Sequence, residues 1–323
     1  MKAAVLHSYA HPPKYEDFPD PILSTDGQLV VTMKAASIKN LDKAIASGKH
    51  YSSKPVFPTV VGVDGVGVLD DGTRVYAMGA SGMLAEKAII NKGSYIILPD
   101  RISDAMAAAL PNVVIGAALA LKFRAKMQHG MNVLINGATG VTGKAAIQIA
   151  KHYGANKIYA TGRNQDALEK LTGLGAHEVI SLLQPEEDFV NTIKRLHQSD
   201  PIDIVIDYTW GKPAEMILQA LKVGGLHGFS NPVRFVTVGG MAGDSIQLSS
   251  GTLRSSAIEV LGSGFGSLSK SDLQQLNQTV LPDMMQLVID GGLELDLIEI
   301  PLQDIEHAWQ MEIPNGQRLV VMI

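Results

Sequence analysis

Cysteine is absent from all 323 residues. That removes disulfides, thiolate nucleophiles and thiolate metal ligands, and it matches a reducing compartment. An excess of basic charge is also missing: the net charge is −5, so nothing draws the chain generally to nucleic acid or an anionic membrane. The longest uncharged run, Ala105–Leu121, is interrupted by Pro111-Asn112. It falls short of the roughly 20 residues that span a bilayer and reads as a buried helix at a domain junction. The opening residues carry neither a long apolar run nor a small-residue cleavage site, so the expectation is a cytoplasmic protein. No internal repeat or low-complexity segment occurs. What is present is an ordinary globular composition, 46% hydrophobic and 18% charged, in a chain long enough for two domains.

The most informative stretch is Met131–Gly143. Val133, Leu134 and Ile135 read as a buried strand running into a glycine-rich turn, and the turn opens an apolar-periodic helix from Val141 to about Tyr153. Gly140 and Gly143 take the second and third glycine positions of G-x-G-x-x-G, with Ala138 at the first and Gly137 just before it. A backbone bare of side chains there lets a pyrophosphate lie against the helix N-terminus, whose free N–H groups and dipole favour anions. Gly137, Thr139, Gly140, Val141, Thr142 and Gly143 are therefore candidate dinucleotide contacts. The next strand, Lys157–Thr161, and helix, Asn164–Leu174, follow at the spacing of one strand-helix-strand unit.

Twenty residues after Gly143 stands Arg163, with no carboxylate before Asp166. NAD-binding folds place Asp or Glu near this point for the ribose 2′-hydroxyl, whereas an arginine accommodates a 2′-phosphate. The expected cofactor is NADPH, with the planar fork of Arg163 on that phosphate. Tyr153 and Lys157 imitate the Y-x-x-x-K pair of short-chain dehydrogenases, but Gly154 and Asn156 break the helix face such a pair needs.

Residues 1 to about 115 alternate short extended runs with turn formers. The runs are Ala3–Leu6, Leu29–Ile38, Val60–Leu69, Thr73–Met78, Ala85–Ile90 and Ser94–Leu98; the breaks include Pro12-Pro13, Asp26-Gly27 and Asp71-Gly72. With one helical patch near Leu41–Ala46, this predicts a small irregular β-barrel. Gly62, Gly65 and Gly67 mark either a bend with close backbone approach or simple ease of packing. Strands are expected near 132–136, 157–161, 177–181, 202–207, 234–238 and 258–262, with helices such as Glu186–His197 and Lys212–Leu221 between them. That alternation predicts an α/β, doubly wound parallel sheet. A helix from Ser269 to about Ile289, a short helix at Ile305–Met311 and a closing strand at Arg318–Met322 complete the pattern. The expected domains are 1–115, 116–265 and 266–323, the last returning to the barrel and leaving a cleft between the two parts.

Several motifs together resemble the medium-chain dehydrogenase/reductase superfamily, in its zinc-independent NADPH:quinone oxidoreductase-like branch. They are Ala35–Asp42 with Gly48, Pro58–Gly67, Gly82–Glu86, Ala107–Pro111, the turn at 137–143 and Gly316–Val321. The resemblance spans essentially the whole chain. It implies a GroES-like catalytic domain, a Rossmann domain and commonly a homodimer. It further implies cofactor contacts at Asp42, Val238, Gly239, Gly240, Phe265 and Arg318.

Zinc-dependent members of that superfamily hold zinc with cysteine and a His-Glu pair. Here Val63-Asp64 stands in the place of that pair, and of the nine histidines only His7 and His11 stand four apart, in a stretch broken by Pro12-Pro13, so no metal site is expected. Without a Lewis acid to lower its pKa an alcohol is a poor hydride donor. The remaining chemistry is hydride transfer to a quinone or an α,β-unsaturated carbonyl compound, with the protein supplying alignment and donors to the developing oxygen. Candidate donors are Lys39, Asn40 and Tyr51. Relatives carry Asn at the position of Lys39, so a charged donor is expected in its place. Two other functions fit the same turn: reduction of enoyl thioesters, and NADPH binding without turnover in a redox-sensing or structural protein.

Overall fold

The computed structural model describes residues 1–53, 56–222 and 231–323, with the backbone alone at Phe265. Two compact units emerge, Met1–Pro111 with Leu295–Ile323 and Asn112–Glu294.

The first unit opens with seven strands: β1 (Lys2–Leu6), β2 (Lys14–Asp17), β3 (Gln28–Ile38), β4 (Thr59–Val60), β5 (Asp64–Val68), β6 (Arg74–Gly79) and β7 (Lys87–Ile97). β3, β5, β6 and β7 pair antiparallel in that order, and β7 returns to pair with β3, closing a barrel. β1 lies between β2 and β4 in a separate small sheet. Closure removes free edges from the barrel. The run Val60–Leu69 is broken into two strands at Gly62, which has φ +101. A Cβ on Gly62 would lie 2.8 Å from the Leu84 amide, and one on Gly65 would lie 2.7 Å from the Ala35 carbonyl. Bend and close approach therefore both apply. Two stretches read separately from sequence, Ala85–Ile90 and Ser94–Leu98, belong to the single strand β7.

Among the described residues the second unit holds six strands: β8 (Asn132–Asn136), β9 (Lys157–Gly162), β10 (Glu178–Ser181), β11 (Ile204–Asp207), β12 (Val233–Thr237) and β13 (Ile258–Gly262). They form one parallel sheet in the order β10-β9-β8-β11-β12-β13. β8 and β11 are buried at every residue, as a sheet covered on both faces requires. The order reverses between β8 and β11, and the carboxyl ends of those strands form the crevice where such sheets bind ligands.

Strands β14 (Asp296–Pro301) and β15 (Gln317–Met322) complete the first unit, β15 pairing antiparallel with β3. The return to the barrel thus begins at Leu295, later than the expected boundary at 266. The intervening helix, Lys270–Ile289 with a π-turn at Leu276–Val280 ahead of Pro282, belongs to the second unit. His152 contacts Asp283 there at 3.3 Å, and the Gln148 side chain bonds both backbone groups of Glu294, at 2.9 Å to N and 3.1 Å to O. At the other junction the helix from Asp104 continues to Arg124 and is long and apolar enough to cross a membrane. Its residues Ala107–Leu110, Val113, Val114 and Ala117–Leu121 are almost wholly buried inside the protein.

Candidate functional site

The glycine turn joins β8 to the helix Val141–His152. Its three glycines differ in what surrounds them. A Cβ on Gly143 would lie 2.6 Å from the Ala138 Cα, so this glycine packs the helix onto the strand end. One on Gly137, at φ +80, would lie 2.7 Å from the Thr209 methyl. Among the described residues, one on Gly140 meets only the Gly137 carbonyl, 4.0 Å away. The open space therefore lies beside Gly140, at the helix N-cap, where no side chain caps the helix. The first-turn N–H groups of Val141, Thr142 and Gly143 have no intrahelical acceptors. These are the features a pyrophosphate requires.

Thr139 touches β9: a Cβ on Gly162 would lie 2.5 Å from its methyl. Arg163 follows immediately, exposed and without an ion pair or hydrogen bond among the described residues. Asn164 caps the next helix, its side chain accepting the Ala167 N–H at 2.9 Å. Val238 and Gly239 lie at the end of β12, where their N–H groups bond the Asp207 carbonyl at 2.7 and 3.3 Å. A Cβ on Gly240 would lie 2.9 Å from the Gly243 carbonyl. The second-unit candidates thus gather at the carboxyl ends of the parallel strands. Phe265 begins a short 3-10 turn after β13, and its side chain lies outside the described residues.

Sequence reasoning missed the polar cluster beneath the turn, formed by Asn136, Thr161, Asp207 and Thr209. The available signal was a carboxylate closing the all-apolar strand Ile204–Ile206. Burial pushes the Asp207 carboxyl above its ordinary value, against the opposing pull of the Thr209 and Trp210 N–H groups, the Thr209 hydroxyl and the Asn136 amide. Tyr153 and Lys157 fall at a helix C-cap and the start of β9, so the imitation pair never shares a helix face.

The first-unit candidates are placed differently from expectation. Lys39 is buried, with Nζ 2.7 Å from Asp64 Oδ1, 2.9 Å from the Ser37 carbonyl, 3.2 Å from Asp42 Oδ2 and 3.3 Å from Ser37 Oγ. Four oxygens thus surround an ammonium with three protons, leaving Lys39 no donor to offer a ligand. Burial pushes its pKa down, but Asp42 and Asp64 together raise it above its ordinary value.

Asp42 is equally committed. Its Oδ2 accepts the Lys39 N–H and its Oδ1 the Val63 N–H, both at 2.9 Å. This carboxylate caps the helix Asn40–Ala46 and ties it to the segment before β5, a structural duty in its own right. Asn40 is exposed at the first position of that helix. Tyr51 is 92% exposed on a surface turn, its ring 4.1 Å from that of His50.

Tyr76 donates its hydroxyl to Asp64 from the buried side. Arg318, on β15, lies in the field of Asp42 and Asp64, and burial lowers its pKa against their pull. A cavity of about 370 Å³ opens beside this cluster, walled by Leu6, Tyr9, Ile45, Phe57 and Met78, with Asp42 at one side.

Comparison with known proteins agrees with this architecture. The zinc-binding dehydrogenase family model matches residues 141–281. A probable NADPH-dependent quinone reductase of Emericella nidulans is 25% identical over the full length of both chains. The quinone oxidoreductase of Thermus thermophilus, also solved in complex with NADPH, superposes with a TM-score of 0.76 at 27% identity, covering both chains completely. This chain belongs to the medium-chain dehydrogenase/reductase superfamily. Within that superfamily it lies on the quinone reductase-like side: the quinone oxidoreductase of Sus scrofa is 29% identical over 78% of this chain and 75% of its own length. The superfamily's parallel sheet and closed barrel are the two units described above.

Proposed function

We propose that the chain is an NADPH-dependent oxidoreductase that passes hydride to a quinone or an α,β-unsaturated carbonyl compound without zinc. The observation that carries this reading is the pairing, on adjacent strands, of an open glycine turn after β8 with the unpaired Arg163 after β9. The turn accepts a pyrophosphate against the helix N-terminus, and the guanidinium reads a 2′-phosphate. The names of the relatives, an NADPH-dependent quinone reductase and two quinone oxidoreductases, support the same assignment.

The bound nicotinamide would supply the hydride. The chain's own task is to bind, align and keep water out. The first-unit cavity suits a neutral acceptor: its wall is mainly apolar and includes four hydroxyl-bearing residues, Tyr9, Ser52, Thr59 and Ser81. Those hydroxyls replace Lys39 and Tyr51 as the candidate donors to a developing oxygen.

The residues present do not fit a zinc ion. The chain has no cysteine, no cluster of three or more His, Asp or Glu suited to a metal occurs among the described residues, and the Asp64 carboxylate is committed to Lys39 and Tyr76. A homodimer is part of the same reading, with β13, an edge strand carrying the half-exposed Val260, as the surface that pairs.

Fluorescence titration with NADPH and NADH, followed by turnover with a quinone and an enone at the absorbance band of the reduced nicotinamide, tests this reading. Preferential NADPH binding with oxidation by either acceptor upholds it. Tight binding without oxidation favours a non-catalytic NADPH-binding protein, and no binding of either nucleotide overturns it.

A further inference from the structure

β11 ends on a carboxylate that faces the underside of the glycine turn. Asp207 stands opposite Asn136 in the β8–β11 register, and both are fully buried. Asp207 Oδ1 accepts from Asn136 Nδ2 at 2.8 Å and from the N–H and hydroxyl of Thr209, each at 3.0 Å. The Trp210 N–H is shared between the two carboxylate oxygens, at 3.2 and 3.1 Å. The second proton of Asn136 Nδ2 goes to Thr209 Oγ1 at 2.7 Å. Asn136 Oδ1 accepts the Thr161 hydroxyl, and Thr161 Oγ1 accepts the Gly137 N–H at 3.2 Å. Every proton along this path points in a consistent direction. The path runs unbroken from the carboxylate to the first residue of the turn.

Backbone strain at the same place gives the carboxylate a second task. Trp210 has φ 51 and ψ −155, a conformation that costs a non-glycine residue on the order of 1–3 kcal/mol and persists only where its surroundings enforce it. Asp207 enforces it by holding the Trp210 N–H. The loop so fixed presents the Thr209 methyl to Gly137, in the space a Cβ there would claim. The turn is thus braced by hydrogen bonds through Thr161 and by packing against Thr209, and both braces originate at Asp207.

We propose that Asp207 is a positioning residue for dinucleotide binding: acting through Asn136, Thr161 and Thr209, it holds the turn at 137–143 in the shape that receives the pyrophosphate. This rests on the NADPH reading above.

Binding of NADPH and of adenosine 2′-monophosphate, which carries the 2′-phosphate but no 5′-phosphate to rest on the turn, is measured calorimetrically for each variant. Asp207→Asn keeps the shape but turns an acceptor into a donor facing other donors. It is expected to weaken NADPH by about tenfold or more, the scale of one lost charge-assisted hydrogen bond, while the 2′-monophosphate changes less than about twofold. Thr161→Val cuts the path without touching the carboxylate and is expected to give the same selective loss. The exchange Asn136→Asp with Asp207→Asn restores one carboxylate facing one amide and is expected to recover most of the NADPH affinity.

Unchanged NADPH binding in Asp207→Asn or Thr161→Val overturns the proposal. Equal loss of both ligands also overturns it, since that marks general loosening of the unit, as does an exchange variant no better than Asp207→Asn. If the wild-type protein binds neither ligand, the NADPH reading itself fails and takes this inference with it. That outcome is distinct from failure of the variants alone.

Discussion

Replacing Lys39 with methionine keeps most of the side chain's volume and removes its charge. In the wild type Nζ sits 2.7 Å from Asp64 and 3.2 Å from Asp42. With an effective dielectric of about 20, the attraction is roughly 5–6 kcal/mol for each contact. Desolvation of the buried ions offsets much of this, and removing one partner from a buried ion pair costs about 3–5 kcal/mol because the remaining charge is stranded. Here two carboxylates are stranded, with Arg318 sharing their field. A loss of that size is expected for the first unit. The chain has two tryptophans, Trp309 in the first unit and Trp210 in the second, so in a Trp210→Phe background Trp309 fluorescence during urea unfolding reports the first unit alone.

The loss should also depend on pH. Burial already pushes the Asp64 carboxyl above its ordinary value, against the pull of Lys39, and without the ammonium it rises further. A carboxyl whose folded pKa exceeds its unfolded one binds its proton first in the native state. Its cost is therefore full above the folded pKa and fades as pH falls toward the unfolded value. The variant's deficit is expected to be largest near neutrality and smaller at about pH 4.5. A loss below about 1 kcal/mol, or one identical at both pH values, would refute the assignment of Lys39 as the charge that makes this buried pair tolerable.

Arg163→Ala should weaken NADPH about tenfold or more while leaving NADH nearly unchanged; equal loss for both, in parallel titrations, would show that Arg163 does not read the 2′-phosphate. Gly140→Val and Gly143→Val should separate ligand space from packing space. The first places its side chain in the open region, abolishing dinucleotide binding with a melting temperature close to wild type. The second drives a Cβ to 2.6 Å from the Ala138 backbone and lowers the melting temperature before binding is considered. Val260→Lys on β13 should shift a dimer toward monomer in sedimentation equilibrium, since a charge on an edge strand opposes pairing, and an unchanged mass would remove β13 from the interface.

The parallel sheet was legible because its physics is local. A strand covered on both faces must be apolar throughout, and the expected strand positions in the second unit agree with β8–β13 to within about two residues, the ordinary uncertainty of an element end. Strand β7 was harder to read. Asn91–Gly93 resembles a turn, and only cross-strand pairing with β3 and β6 carries the strand through it. The helix ending at Ile289 was placed in the wrong unit for a related reason. Its amphipathic pattern says that one face is buried but not against what, and the Gln148–Glu294 bonds that decide the matter join residues 146 positions apart.

The site divides along the same line. The glycine turn and Arg163 could be read because their roles follow from their position relative to one strand end. Lys39 and Asp42 could not, because the group that settles their roles is Asp64, 25 residues beyond Lys39. A lysine in a motif that resembles a substrate-facing loop reads as a donor until a carboxylate is known to stand against it. Asp207 reverses the case: its strand was predicted, yet an acidic residue at a strand end has no evident duty until β11 is placed beside β8. Register is what turns it from an isolated buried charge, costly by itself, into the acceptor for Asn136, Thr209 and Trp210. The side chains most open to misreading here are the buried charged ones, since burial makes each of them depend on a partner that only the fold supplies.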